Sequence, residues 1–186
     1  MTGTKRNAGF SLVELIICVA ILAVVIGLVG PSIASMWKSE ARKCAFNIDS
    51  LISKCRTDSM SRGFVGYDDT KTPEENKIAN KVYIRIYVKD DKVYGDTYFG
   101  TAKVNTDQLG GHRAAGSLEV NGTAVNDKGV FISFDRATGR LDVFDTTQAS
   151  ETPPSSLGTI SGNTYFTTGT FKVTIIALTG KHEVSG

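Results

Sequence analysis

Twenty-three consecutive residues, Leu15 to Trp37, carry no charged side chain, and this run limits what the chain can fold into. Its first part, up to Val29, consists almost entirely of Leu, Ile, Val and Ala. As an α-helix the run would be about 35 Å long, against about 30 Å for the hydrocarbon core of a bilayer. We therefore expect a single helix that can span a membrane.

A short basic leader, Met1 to Gly9, precedes the apolar run and contains Lys5 and Arg6. Three kinds of segment fit this pattern: a secretory signal peptide with a small-x-small site at Ser32-Ile33-Ala34, a plain signal anchor, and a prepilin leader. The two bases account for the whole net charge of +2. A chain without them is neutral and gives no general argument for nucleic acid binding.

Glu14 discriminates among the three kinds of segment, because a carboxylate near the start of an apolar helix is costly in lipid. Insertion scales put an acidic residue at about 2.5–3.5 kcal/mol at mid-bilayer and lower near the interface. A generic signal or anchor gains nothing from it. Ser11-Leu12-Val13-Glu14 also fits a capping box, in which Glu14 bonds back to the Ser11 amide. The two interpretations are compatible, since capping needs only part of the carboxylate.

The stretch Gly9-Phe10-Ser11-Leu12-Val13-Glu14-Leu15 resembles the processing motif of type IV pilins and pseudopilins, and the resemblance covers residues 5 to 35. In that family a membrane aspartyl peptidase cuts after the glycine and methylates the new terminal amine. The resemblance implies that Gly9 ends the leader and that Phe10 becomes the N-methylated first residue. It also implies that Glu14 of one subunit neutralises the Phe10 amine of a neighbour during filament assembly.

Pro31 lies where such pilins often carry a helix-bending proline. Proline removes a backbone donor and crowds the carbonyl one turn earlier. Together with Gly27 and Gly30 it predicts a kink or a locally melted segment. The alternative is a helix break at the membrane edge.

After Trp37 the helix is predicted to continue to about Arg62, with Gly63 ending it. Apolar residues recur there at three- and four-residue spacing, which indicates one buried face. They are Ala41, Cys44, Ala45, Ile48, Leu51, Ile52 and Cys55.

All three cysteines, Cys18, Cys44 and Cys55, are predicted to be free thiols packed as small hydrophobic residues. The last two lie about 16 Å apart along one helix, which is too far for a disulfide.

Residues 64–80 are polar and predict a loop, after which strand patterns begin. Strands or hairpins are predicted at 82–88, 92–99, 118–125, 130–134 with 141–144, and 171–178 with 181–184, and an exposed loop at 145–163. One long helix followed by strands implies an α+β fold, with the helix packed on an antiparallel sheet. The two late hairpins resemble the end of the H-type pseudopilin and minor pilin group.

The predicted organisation has four parts. Residues 1–9 are a leader, 10–37 a transmembrane and assembly helix, 38–62 its amphipathic continuation, and 63–186 a β-rich head.

The sequence contains no HExxH, GxSxG, P-loop or GxGxxG motif, and neither of its two histidines, His112 and His182, has a Cys, Asp or Glu at ligand spacing. We therefore expect no enzyme, no metal site and no cofactor. Four bases of the head, Arg136, Arg140, Lys172 and Lys181, could form a DNA-binding patch, but nearby acids disfavour nucleic acid as a partner.

The resemblance implies a single-pass precursor with its head outside the cytoplasmic membrane, later built into a surface filament. The implied partners are a prepilin peptidase, other pilin or pseudopilin subunits, the membrane and an assembly platform. The filament would be a type IV pilus or a type II secretion pseudopilus. A membrane-anchored or secreted binding protein is the alternative, and a DNA-uptake minor pilin is a further one. The mature terminus separates them: Phe10 for a pilin, Ser35 for a signal peptide, Met1 for an anchor.

Overall fold

Helix α1 is the longest element of the chain and runs without interruption over Leu12–Ser61. The computed structural model describes residues 11–62, 69–70, 72–154 and 162–186, without the side chains of residues 28–34 and 74. The chain divides into two compact units, Met1–Trp37 and Lys38–Gly186. The second unit is called the head below. The predicted helix end at Gly63 lies outside the described residues, and the helix itself ends at Ser61.

The head continues with short helices and ten strands in its described residues. In chain order these are α2 (Pro73–Ala79), β1 (Val82–Lys89), β2 (Lys92–Phe99), β3 (Ala102–Gly110), α3 (His112–Ala115), β4 (Leu118–Val120), β5 (Thr123–Ala124), β6 (Val130–Phe134), β7 (Leu141–Asp145), β8 (Thr164–Thr168), β9 (Phe171–Ile175) and β10 (His182–Ser185). The strands form two antiparallel five-stranded sheets, sheet A in the order β3-β2-β1-β6-β7 and sheet B in the order β10-β9-β8-β4-β5. The predicted α+β class is confirmed, with two sheets where one was expected.

The core of the head lies along one face of α1. Its apolar stripe from Ala41 to Cys55 is buried, as the three- and four-residue spacing predicted. Residues from both sheets complete the same cluster, for example Ile84 of sheet A and Phe166 of sheet B. Gly95 permits this packing, because a Cβ added there would meet the Leu51 side chain. Each fully buried aliphatic or aromatic side chain contributes about 1.5–3 kcal/mol.

The far side of sheet A is also buried. Tyr83, Tyr98 and Phe131 pack there with Ile78 of α2, in a second and smaller cluster. Strand β1 therefore buries both of its faces.

Most of the predicted strands and hairpins are confirmed. Strands β1, β2, β6 and β7 lie within a residue or two of the predicted ranges, and β4 and β5 form the hairpin around Asn121-Gly122. Strands β9 and β10 pair across the turn at Thr179-Gly180. The described parts of the 145–163 loop, residues 145–154 and 162–163, contain no helix or strand beyond the end of β7.

Residues 64–80 were wrongly predicted to be only a loop, because α2 lies within them. Its start has a complete capping box: the Glu75 N–H donates to Thr72 Oγ1 at 3.2 Å, and the Thr72 N–H donates to Glu75 Oε2 at 2.7 Å. Pro73 at the first helical position is typical of helix starts. Strands β3 and β8 and the one-turn helix α3 were also not predicted.

The cysteines are free thiols, as predicted. Cys44 and Cys55 are buried in the head core, also as predicted. Cys18 is exposed in the chain by itself, so its predicted packing as a small hydrophobic residue is not seen in this state.

Two hairpin turns with the same geometry meet at one end of the head. In each, the first residue donates its N–H to a carbonyl five residues on, and a glycine donates its N–H back to the first residue, Asp135 with Gly139 and Ile176 with Gly180. Both glycines have positive φ, and a Cβ on Gly180 would meet the Gly139 carbonyl oxygen. Glycine is therefore required where the turns touch.

Arg56 of α1 joins both turns. Its Nε donates to the Gly139 carbonyl and its Nη2 to the Thr179 carbonyl, each at 3.0 Å. Since the first turn belongs to sheet A and the second to sheet B, one guanidinium ties both sheets to the helix.

We expect Arg56→Met to lower the free energy of unfolding by about 1–3 kcal/mol, because it keeps the apolar stem and removes two charged hydrogen bonds. Urea unfolding of the chain in detergent measures this. Lys54→Met, an exposed position on the same helix, is the control and should change stability by less than about 0.5 kcal/mol. Equal effects of the two variants would contradict the role of Arg56.

A second prediction concerns alkaline pH. Burial raises the pKa of Cys44 and of Cys55 from 9.0 to about 12. The unfolded chain releases these protons from about pH 9, whereas the folded chain holds them to about pH 12, so the stability that they contribute is lost over this window. Cys44→Ala/Cys55→Ala should flatten the fall of unfolding free energy above pH 9.

Urea midpoints measured across this pH range test the prediction. Cys18→Ala removes an exposed thiol and should keep the slope of the parent chain. A double variant with an unchanged slope would show that the two thiols do not couple to folding.

Candidate assembly site

Glu14 lies in the first turn of α1, where its carboxylate forms one half of a capping box with Ser11, while the Ser11 hydroxyl caps Val13 rather than Glu14. The Ser11 N–H donates to Glu14 Oε2 at 2.9 Å, and the Val13 N–H donates to Ser11 Oγ at 3.3 Å. The capping role anticipated from the sequence is therefore present in the chain by itself. The contact satisfies helix-end donors and places the carboxylate at the positive end of the helix dipole.

The helix around Glu14 presents apolar side chains on every side. The large ones between Leu12 and Ile26 are 50% to 74% exposed. They are Leu12, Val13, Leu15, Ile16, Ile17, Val19, Ile21, Leu22, Val24, Val25 and Ile26. A helix that is apolar all round is normally buried in a core or a membrane. Among the described residues nothing covers this apolar surface, and an exposed apolar patch of this extent marks an interaction site.

The predicted processing residues Gly9 and Phe10 lie outside the described residues. The backbone of α1 is helical through Gly27, Gly30 and Pro31, and the predicted kink there stays a prediction. Among the residues with described side chains, which within α1 are 12–27 and 35–61, no helix is long and apolar enough to cross a membrane.

His182 brings the last strand against α1. Its Nε2 lies 2.8 Å from Ser53 Oγ and 3.5 Å from Asp49 Oδ1. Both groups approach the same ring nitrogen, whereas a nucleophile-activating triad uses opposite nitrogens of the imidazole. The cluster is therefore a contact between β10 and α1. No local pattern predicts it, because Ser53 and His182 lie 129 positions apart.

A buried charge cluster lies on the far side of sheet A. Asp96 is fully buried and accepts a hydrogen bond from Thr106 Oγ1 at 2.6 Å. Arg85 Nη1 lies 3.5 Å and Lys103 Nζ 3.7 Å from Asp96 Oδ2. Arg85 and Asp96 are direct cross-strand partners in the β1–β2 pairing. Two cations and three hydroxyl groups, with those of Tyr87 and Tyr98 each at 3.4 Å, compensate the cost of burying this carboxylate.

Arg85 also reaches a loop on that side. Its Nε donates to the Lys128 carbonyl at 2.7 Å and its Nη2 to the Asp127 carbonyl at 2.6 Å. Its guanidinium lies 4.1 Å from the centre of the Tyr87 ring. Burial, and then the charge of Asp96, raise the pKa of Tyr87 to about 12. The cluster therefore fixes the loop before β6 and keeps the tyrosine protonated.

Three of the four bases considered for DNA binding, Arg136, Arg140 and Lys181, lie at the two turns that meet, and Lys172 lies on sheet B. Lys172 Nζ lies 3.8 Å from the centre of the Tyr165 ring on sheet B. Arg136 and Arg140 are exposed and flank the Asp135 turn. Lys181 follows the second turn. His112 begins helix α3, and its Nδ1 lies 3.3 Å from Asp91 Oδ2.

Comparison with known protein families identifies one matching region. A family model of the prokaryotic N-terminal methylation motif matches residues 4–30. Searches of curated proteins and of solved structures found no significant match to the chain. The matched segment contains Gly9, Phe10 and Glu14, and the head lies outside it.

The match agrees with the sequence resemblance and with the geometry of the start of α1. The chain therefore carries, over residues 4–30, the prokaryotic N-terminal methylation motif, as precursors of the type IV pilin and pseudopilin family do.

Proposed function

We propose that the chain is a structural subunit of a type IV pilus-like or type II secretion-like filament. A prepilin peptidase cuts after Gly9 and methylates the Phe10 amine. The precursor is a single-pass protein of the cytoplasmic membrane with its head outside, and an assembly platform moves the mature subunit into a surface filament. The observation that carries this proposal is a methylation motif that continues into a helix of exposed apolar side chains with one carboxylate, Glu14.

Assembly would bury that helix among the helices of other subunits. Its apolar side chains, at least 50% exposed in the chain by itself, would then leave water. Loss of that exposed surface supplies the driving force, at about 25 cal/mol per Å² of apolar area.

Glu14 would exchange partners in this process. In the single chain its Oε2 accepts the Ser11 N–H, a contact of about 1 kcal/mol for a helix cap. In a bundle of apolar helices an ammonium is a stronger partner, because charges attract far more at low dielectric than in water. The Phe10 amine of a neighbouring subunit, made by cleavage, would supply that charge.

The mature N-terminus tests the processing step. Co-expression with a prepilin peptidase should give a head-containing product that begins with N-methyl-Phe10, read by mass spectrometry. Gly9→Val places a branched side chain beside the scissile bond and should block cleavage, whereas Gly3→Val within the leader should not. A product that begins at Ser35 would support a secreted binding protein, and an intact Met1 a membrane-anchored one.

Glu14 variants test the assembly step, because two substitutions separate charge from capping. Glu14→Gln keeps a capping-box residue and removes the charge, and Glu14→Ala removes both. Both variants should insert into the membrane. Each should lose filament incorporation by more than about tenfold, since an uncompensated buried ammonium costs about 3 kcal/mol or more.

Incorporation is measured by pulling down sheared filaments that contain tagged subunits. Ser11→Ala is the matched control, because it weakens the cap and leaves the charge, and it should assemble. Normal incorporation of Glu14→Gln would show that the carboxylate serves only as a helix cap.

A further inference from the structure

A cluster of three bases follows the apolar run on the head half of α1. Lys38, Arg42 and Lys43 are all exposed. At 100° per residue they lie within about 140° of arc around the helix. The Arg42 guanidinium lies 5.6 Å from the centre of the Phe46 ring, which stands on the same side of the helix. No described acidic side chain lies within ion-pairing distance of the three bases.

The acid within this stretch is directed away from the bases. Glu40 is half-buried, and its carboxylate lies against the backbone of the β3–α3 connection. A Cβ added to Gly111 would be 2.5 Å from Glu40 Oε1. The solvent-facing side of α1 at residues 38–43 therefore carries three positive charges that Glu40 does not neutralise.

Topology does not explain these bases. Cytoplasmic flanks of a membrane helix carry the excess of Lys and Arg, whereas the proposed orientation places this flank outside. Bases directly after an apolar run are suited to a surface of phosphate groups, to which each contributes about fivefold in binding. Trp37, the residue before the cluster, is of a type enriched where membranes meet water.

We propose that Lys38, Arg42 and Lys43 bind anionic phospholipid headgroups at the membrane surface while the subunit waits for assembly. The inference rests on the proposed function, because it requires the apolar run to be in a bilayer. The contacts hold the subunit at a fixed depth and must break when it leaves the membrane for the filament. Removal of the subunit from the membrane therefore depends on the charge of the surrounding lipids.

Lipid selectivity of the full chain tests this inference. The chain is reconstituted in phosphatidylcholine vesicles that contain either spin-labelled phosphatidylglycerol or spin-labelled phosphatidylcholine. Electron spin resonance gives the fraction of each labelled lipid held at the protein. We expect phosphatidylglycerol to be preferred by about fivefold or more at low salt. High salt should reduce the preference, because it screens exposed charges.

Two triple variants separate this cluster from general positive charge. Lys38→Gln/Arg42→Gln/Lys43→Gln should abolish the preference. The control, Lys54→Gln/Lys92→Gln/Lys181→Gln, removes the same charge from other exposed positions and should keep it.

Equal binding of both labelled lipids by the parent chain would overturn the inference. An equal loss of lipid preference in the two triple variants would do the same. A cluster variant that keeps the preference for phosphatidylglycerol would show that these three bases do not bind the lipid headgroups. Flotation of the vesicles shows whether the chain is bound to them. A chain that floats with the vesicles but shows no lipid preference overturns this inference alone. A chain that does not float with vesicles overturns the membrane step of the proposed function as well.

Discussion

The packing of one face of α1 against both sheets is the contact on which the head depends. Cys44 and Ala45 are small and fully buried, and Gly95 leaves space for Leu51, so strands and helix approach closely. Each sheet buries one face on this helix, and the two share a single cluster rather than two separate cores. Truncation within the stripe would therefore remove the common support of both sheets. Arg56 adds a polar tie at the end where the turns of the two sheets meet.

The apolar side chains at the start of the same helix are exposed, and no described residue packs on them. Glu14 has a hydrogen-bond partner in this single chain and a different partner in the proposed filament. Its bond to the Ser11 N–H gives the carboxylate a partner before any neighbour arrives. A weak internal contact of this kind can be exchanged for a stronger one, which lowers the cost of holding a charge ready in an apolar segment.

Local patterns predicted the parts of the fold that depend on periodicity or on turn chemistry. These were the buried stripe of α1, strand β1 and the hairpins at Asn121-Gly122 and Thr179-Gly180. Strand β3 was missed because it is an exposed edge strand without apolar alternation. Helix α2 was missed although Thr72, Pro73 and Glu75 carried its start signal. Clusters such as Arg85 with Asp96 depend on strand register, which the β1–β2 pairing sets and no single segment contains.

That register has a consequence for how the head reaches its native arrangement. Arg85 faces Asp96 across the β1–β2 hairpin, and both are buried. Sliding one strand by a single residue would turn Asp96 to the other face of sheet A, against the apolar cluster on α1. Its carboxylate would then be buried without Arg85 or Lys103 as a partner. Misaligned hairpins are therefore rejected by electrostatics as well as by shape.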